Sequence, residues 1–308
     1  MITVVFATHN GSETLKKTLE SMEQLVAPGG GWKLIAVDNA STDNTADIIE
    51  SFSNKLPLLI LYQPRRGKNV SLNMAISYFE GDLIVFTDDD VIPMPNWLVA
   101  YEELAKAHPE CTVFGGQIVP HWPGHPPEEI MNAIPLGAAY AVHPQNMLDG
   151  PVNTGMIWGP NMAVRKLIFD AGYRFNENIG PTAGNYIQGS EVEFTHRLKN
   201  DGFRNWFSRE IAVKHQIMDY QLTSKWLWGR ALRYGRGKYI MKSKFASNGT
   251  DVAMFFGLPR WQVWQLVKDM SFFPFSLFKR NRTQYFRLIW RIGLNYSILK
   301  NIIKKKIN

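Results

Sequence analysis

The stretch "GDLIVFTDDDVIPMPNW", residues 81–97, decides how the chain is read. Leu83–Phe86 is a short apolar run suited to a buried strand, and it leads straight into Asp88, Asp89 and Asp90. Like charges this close repel, and a buried carboxylate without a partner is costly. Capping the next helix accounts poorly for all three, because Pro93 and Pro95 delay that helix to about residue 96. The other reading is a divalent cation held by hard oxygen ligands, which keeps some waters and shares a diphosphate. One or two protein carboxylates suffice for that, leaving a third free to hydrogen-bond a sugar hydroxyl.

The flanking sequence places this strand end in a repeating pattern. "ITVVFAT" (2–8) reads as a strand ended by "HNGS", and "ETLKKTLESMEQL" (13–25) as a helix with Leu15, Leu19, Met22 and Leu25 on one face. "WKLIAVDNAS" (32–41) is a second strand, with Ser41 and Thr42 expected to cap the helix "TADIIESF" (45–52). "LPLLILYQ" (56–63), "GKNVSLNMAISYF" (67–79), "DLIVFTDDD" (82–90) and "NWLVAYEELAKAH" (96–108) continue the alternation. Strands and helices at this spacing imply βαβ units, a doubly wound α/β fold and a mostly parallel sheet. Ligands of such sheets sit beyond the carboxyl ends of the strands. The residues to inspect are therefore Thr8, His9 and Asn10, Asp38 and Asn39, Gln63 to Lys68, and the three aspartates.

After residue 110 the alternation loosens. "VFGGQIVP" (113–120) predicts a strand entering a Gly-rich turn, and residues 121–151, rich in proline and glycine, a long loop with one short helix. Residues 158–180 predict a strand and a helix, and 189–207 a helix stopped by Gly202, then a strand.

Composition narrows the chemistry. With 308 residues, 45% apolar and 20% charged, the chain is globular and long enough for a large core. One cysteine, Cys111, excludes a disulfide framework and a cysteine metal cluster, so any metal must be held by oxygen or imidazole. The opening "MITVVFATHNG" has neither the basic leader nor the apolar length of a signal peptide, and reads as the first strand. No G-x-x-x-x-G-K-[ST] phosphate loop occurs, since Asn69 follows Gly67-Lys68, and no G-x-G-x-x-G follows the first strand.

At this point the chain resembles the family 2 glycosyltransferases of GT-A fold, which use nucleotide-diphospho-sugars. The matching segments are "ATHNGSETL" (7–15), "VDNASTDNT" (37–45), "RRGKNVSLNMAI" (65–76), "VFTDDDV" (85–91) for the D-x-D motif, "GGQIVP" (115–120), "GPNMAVRK" (159–166) and "GSEVEFTHRL" (189–198). In order and spacing they cover residues 2 to 217.

The resemblance implies roles for particular residues. Thr8, His9, Asn10 and Asp38 would hold base and ribose, with Lys68 and Asn73 near the nucleotide and Lys68 reaching a phosphate. Asp88 would contact ribose or sugar, with Asp89 beside it, and Asp90 would ligate Mn²⁺ or Mg²⁺. His215 is a second ligand candidate, although an ordinary strand-end histidine is nearly as good a reading. In the family's E-D motif Ser190 takes the glutamate position and Glu191 the aspartate position, which makes Glu191 the expected general base. Its extra methylene alters reach by about an ångström, and Glu193 is the runner-up. Trp158 and Asn161 would line the acceptor and donor-sugar side, though Trp158 reads equally as a core residue. The expected reaction is inverting transfer to a glycan or lipid-linked acceptor, with UDP favoured by family frequency. The alternative is a catalytically silent scaffold that binds nucleotide-sugar, motivated by Ser190.

Charge separates the chain into an expected catalytic body (1–219, with 1–110 for the nucleotide and 111–219 for the acceptor) and an extension (220–308). Residues 1–219 carry 16 Lys/Arg against 25 Asp/Glu, whereas residues 220–308 carry 18 against 2 together with 18 of the 39 aromatic residues. This helical, basic, aromatic tail fits an anionic membrane interface and lacks the charge-free length of a spanning helix. Packing on the body, or on a second protomer in a homo-oligomer, is the competing reading, and no nucleic-acid partner is expected. Arg230 and Arg236 are candidates for a lid over the donor diphosphate. The expected location is cytoplasmic, peripheral at the inner face of the membrane.

Overall fold

The apolar runs of the first half become parallel strands: β1 (Ile2–Thr8), β2 (Trp32–Asp38), β3 (Leu58–Tyr62) and β4 (Leu83–Phe86). Between them run α1 (Leu15–Met22), α2 (Thr45–Glu50) and α3 (Lys68–Ile76). There follow β5 (Val91–Pro93), α4 (Trp97–Ala107), β6 (Cys111–His121), α5 (Glu128–Met131), α6 (Leu136–Tyr140), β7 (Gly150–Pro151), β8 (Met162–Arg165), α7 (Lys166–Asp170), α8 (Ser190–Asn200) and β9 (Arg204–Gln216). The sheet runs β3-β2-β1-β4-β8-β6-β9-β5, with β7 also on β9, and its second half is mixed because β8 is antiparallel to β4 and β6. The chain ends with α9 (Ser224–Phe245), a short hairpin of β10 (Met254–Phe255) and β11 (Leu258–Pro259), α10 (Arg260–Phe278) and α11 (Arg282–Ile307).

The structure, a computed structural model, describes residues 1–125, 127–181, 186–245, 254–255, 258–278 and 281–307. The basic pair at 279–280 in the tail lies outside the described residues. Two units are distinguished: Met1–His121 with Tyr140–Asn185 and Ser190–Gln216, and Trp122–Ala139 with Tyr186–Gly189 and Ile217–Asn308.

In the first unit both sheet faces are buried, as a parallel sheet requires. Val4 and Phe6 pack with Leu15, Leu19 and Trp97 on one side. Val5, Ile35 and Val37 pack with Leu72, Phe169 and Phe194 on the other. Consecutive strand residues serve opposite layers, so the near-continuous apolar runs follow from period-two geometry.

Four local expectations are corrected. β4 stops at Phe86, and the three aspartates form a turn before β5, which pairs antiparallel with β9. Ser41 and Thr42 do not cap α2: the N-cap is Asn44, and Asp43 Oδ1 accepts the Thr45 N–H at 3.1 Å. The loop after residue 121 holds two short helices and a two-residue strand, not one helix. β6 does not turn at its glycines but passes through them, with a register shift between Gly116 and Gln117.

A Cβ at Gly116 would fall on the Ile211 carbonyl and the buried Asn161 amide. Gly116→Ala should therefore destabilise the first unit by about 1–3 kcal/mol. An unchanged urea midpoint would show that β6 and β9 lie farther apart than this.

In the second unit α9 and α11 approach closely. A Cβ at Gly235 would stand 2.5 Å from the Leu294 carbonyl, Ser297 Oγ donates to Leu232 O at 2.7 Å, and Tyr234 and Trp290 rings pack at 6.0 Å. The α10 carboxylate Asp269 meets Arg291 of α11 at 3.0 Å.

Candidate active site

The strand ends of the first unit converge as the alternation predicts. Thr8 closes β1 and pairs in register with Asp38 at the end of β2. Beyond them, Asn10 takes a left-handed conformation (φ 55°), its N–H donates to Ser41 Oγ at 3.0 Å, and its Oδ1 accepts the Thr42 N–H at 2.8 Å. His9 Nδ1 meets Asn39 O at 2.9 Å, and Asp38 Oδ1 accepts the Ser41 N–H at 3.0 Å. These bonds hold the first two strand-end loops together.

Asn39 extends the framework to the third loop. Its amide donates to Gln63 O and Arg65 O, each at 2.9 Å, and accepts the Gly67 N–H at 2.7 Å. Gly67 has φ 148°, a region open to glycine, and sets Lys68 at the start of α3. Lys68 Nζ then lies 2.5 Å from Asp88 Oδ1 and 3.6 Å from Glu191 Oε1. The ammonium thus bridges the aspartate turn and the first turn of α8.

Each aspartate has its own partner. Asp89 accepts a hydrogen bond from Thr8 Oγ1. Asp90 Oδ2 lies 3.0 Å from His215 Nε2, while His215 Nδ1 meets Tyr140 O at 2.6 Å. Burial, reinforced by Asp90 and Asp88, pushes the Asp89 carboxyl up to about 7. Burial also pushes Asp88 up, against the pull of Lys68. Burial works the same way on Asp90, but His215 outweighs it and holds that carboxyl below the usual range. Reciprocally, burial opposes charge on His215, yet Asp90 keeps its imidazole above its ordinary value.

A Cβ at Gly11 would fall on Asp89 and Thr8, and one at Gly159 on the Glu191 carboxylate. The site therefore depends on two side-chain-free positions, which the motif reading did not single out. It also passed over the role of Asn69. Ser190 Oγ donates to Asn69 Oδ1 at 2.7 Å, and Asn69 Nδ2 donates to Asn176 O at 2.7 Å and Ile179 O at 2.8 Å. The Ser190–Asn69 bond docks the start of α8 on the start of α3, where Glu191 and Lys68 meet. "GKN" at 67–69, next to a departure at 190, was the sequence signal for it.

Other expected site residues are held elsewhere. Asn73 donates to Phe175 O at 2.9 Å and accepts the Phe175 N–H at 2.9 Å, so it ties α3 to the following loop. Asn161 is fully buried: it accepts from Trp97 Nε1 at 2.9 Å and Tyr101 Oη at 2.8 Å, and donates to Gln117 O at 3.0 Å and Ile211 O at 2.8 Å. Glu193, also buried, pairs with Arg197 one turn on, at 3.1 Å. Trp158 stacks on His143 with ring centroids 4.1 Å apart and donates to Gly155 O at 2.8 Å. Arg165 donates to Cys111 O at 2.7 Å and His108 O at 3.2 Å, closing the end of α4. Arg230 belongs to the second unit, where it donates to Ala138 O and Tyr186 Oη, each at 3.2 Å, and Arg236 is half-buried one turn and a half further along α9.

His143 sits in the core, its Nδ1 accepting the Ile118 N–H at 3.0 Å and its Nε2 facing Met156 O at 2.9 Å. Burial lowers its pKa from 6.5 to about 4. The unfolded chain binds this proton more readily than the folded one, so the stability is whole above about pH 6.5 and drains away as pH falls towards about 4. A loss of about 3 kcal/mol across that window is expected. Urea unfolding at both ends of it, on the parent and on His143→Gln, tests this, and equal pH slopes would refute it.

Among the described residues no three histidine, cysteine or carboxylate groups converge tightly enough to cage a cation by themselves. A cation whose shell is completed by phosphate oxygens and water needs no such cage. Asp90 Oδ1 is buried without a hydrogen-bond partner, and the surrounding donors are hard oxygens and an imidazole. The residues present fit Mn²⁺ or Mg²⁺ shared with a diphosphate.

A doubly wound sheet with acidic strand ends, a mixed second half and C-terminal helices defines an α/β fold of the GT-A type. The chain matches the model of glycosyl transferase family 2 over residues 3–171, and it belongs to that family. It is 22% identical over 182 residues to the glucosyl-dolichyl phosphate glucuronosyltransferase of Haloferax volcanii, covering 57% of this chain and 56% of that one. It is 24% identical over 291 residues to the probable glycosyltransferase YdaM of Bacillus subtilis, covering 90% and 62%. The matched region is thus less than two thirds of either relative's length. The solved mannosyltransferase PcManGT of Pyrobaculum calidifontis, in complex with GDP-Man and Mn²⁺, superposes with a TM-score of 0.64 at 15% identity, over 97% of this chain and 87% of that one. This last likeness is one of fold.

Proposed function

We propose that the protein is an inverting glycosyltransferase that moves a sugar from a nucleotide-diphospho-sugar, UDP preferred, to a hydroxyl of a glycan or lipid-linked acceptor in surface polysaccharide or glycolipid synthesis. The observation that carries this reading is Lys68, held between Asp88 and Glu191 beside the Asp90–His215 pair. Carboxylates for a base and for a cation, with an ammonium between them, are what transfer from a diphosphate leaving group requires. The acceptor class is supported by the lipid-phosphate substrate in the name of the Haloferax relative.

In this reading residues 1–110 bind the donor through Thr8, His9, Asn10 and Asp38, and residues 111–219 complete the acceptor side. Glu191 takes the proton of the acceptor hydroxyl as its oxygen attacks the anomeric carbon, and the bond to the diphosphate breaks on the opposite face, inverting the configuration. Asp88 orients ribose or sugar, and Lys68 is within reach to follow the phosphate charge. When bound, a divalent cation held by Asp90 and His215 would supply Lewis-acid neutralisation of the leaving diphosphate. Residues 220–308 would keep the enzyme peripheral, at the inner face of an anionic membrane.

A thermal-shift panel of UDP-, GDP- and dTDP-sugars, with and without Mn²⁺, tests the donor site. Binding to the native state raises Tm by mass action, so one nucleotide should give a metal-dependent rise. A folded protein that responds to none of them would favour the silent scaffold for which Ser190 is the sequence argument.

A further inference from the structure

The second unit leaves one helix face uncovered. On α10, Gln262, Leu266 and Asp269 turn inwards: Leu266 and Asp269 are buried, Gln262 donates to Asn295 at 2.8 Å, and Asp269 pairs with Arg291. At 100° per residue the opposite face carries Trp261, Trp264 and Val267, with Met270 and Phe272 at its two margins. Trp261 is 66% exposed and Trp264 73%, and Val267, Met270 and Phe272 are each more than half exposed. A soluble surface seldom exposes five large apolar side chains on one helix without a partner for them. Arg260 and Lys268 are exposed on that same face.

We propose that this face of α10 is a membrane-docking surface, which lies in the interface of an anionic bilayer with Trp261 and Trp264 at the level of the lipid headgroups. The proposal rests on the membrane reading above and adds the side chains that make the contact. Tryptophan suits this level because its ring is apolar and its N–H is polar. Charge selects the occupant: residues 220–308 hold 18 Lys/Arg against 2 Asp/Glu, and Asp269 is already neutralised by Arg291. Such a unit is drawn to anionic lipid. Among the described residues no helix is long and apolar enough to cross a membrane, so α10 would lie along the surface.

The test is co-sedimentation of the full chain with phosphatidylcholine vesicles, with and without phosphatidylglycerol, together with tryptophan quenching by brominated acyl chains. Binding to the anionic vesicles, weakened by salt, with quenched emission, is the expected result. The double variant Trp261→Ala/Trp264→Ala should partition about tenfold less with an unchanged circular dichroism spectrum. If that variant does not fold, Lys268→Glu keeps the aromatic face and should bind anionic vesicles more weakly. Undiminished partition of the folded variants, or no binding by the parent, would overturn the proposal. So would a concentration-dependent dimer in light scattering that the tryptophan variant abolishes, since the face would then belong to a second copy. Vesicle binding by a chain that fails the donor panel would sink the transferase reading and leave this one standing.

Discussion

Glu191→Gln should lower kcat by about 10³-fold while donor affinity stays within about twofold. Glutamine keeps the length and the hydrogen-bonding outline of the side chain but cannot accept the acceptor's proton. Glu191 stands in the first turn of α8, 3.6 Å from Lys68, and is about four-fifths buried (18% exposed). Lys68 keeps its contact with Asp88 in the variant, so the donor site loses little. Glu193→Gln is the informative contrast. Its carboxylate is paired with Arg197 and buried, so its loss should lower Tm and leave kcat nearly unchanged. Single-turnover kinetics with calorimetric donor binding separates the two. Full turnover by Glu191→Gln would remove Glu191 from the mechanism, and a large kcat loss in Glu193→Gln would hand it the role.

Asp90→Asn should cost about 10²–10³-fold in kcat/KM and abolish the metal-dependent part of the thermal shift. Neutralising a developing diphosphate charge is worth several kcal/mol, and each 1.36 kcal/mol is tenfold in rate. Asp90 is singled out over its neighbours by its partners. Asp88 is paired with Lys68 and Asp89 bonded to Thr8, whereas Asp90 keeps a buried Oδ1 with no hydrogen bond. Treatment of the parent with EDTA should reproduce the loss, and Mn²⁺ should restore the parent but not the variant. Full activity in the chelator would show that Lys68 and His215 alone balance the leaving group.

Much of this arrangement could be read from the chain. The alternation of apolar runs with helical periodicity located β1 to β4 and α1 to α4 within a few residues, because side-chain period is a local property of the backbone. The same pattern put Thr8, Asp38, Lys68 and Asp88–Asp90 at strand ends and helix starts, and Gly202 ended α8 as glycine does, at φ 89°. The asymmetric charge of residues 220–308 was equally legible, being composition. Motif spacing also put Glu191 on a helix start, although it offered Asn73, Asn161 and Glu193 with the same weight.

What only the tertiary structure decided is which side chains meet. Asp90 and His215, 125 positions apart, come together because β5 pairs antiparallel with β9, a pairing invisible in a three-residue strand that ends on a proline. Asn161 falls beneath the sheet and Asn73 against the loop at Phe175, since side-chain direction depends on the register of distant strands and the docking of helices. Lys68 reaches Glu191 only after Ser190 and Asn69 have joined two helix starts. Local periodicity determined the elements and the strand ends of this protein. Long-range packing, which no local pattern encodes, determined the contacts on which its chemistry rests.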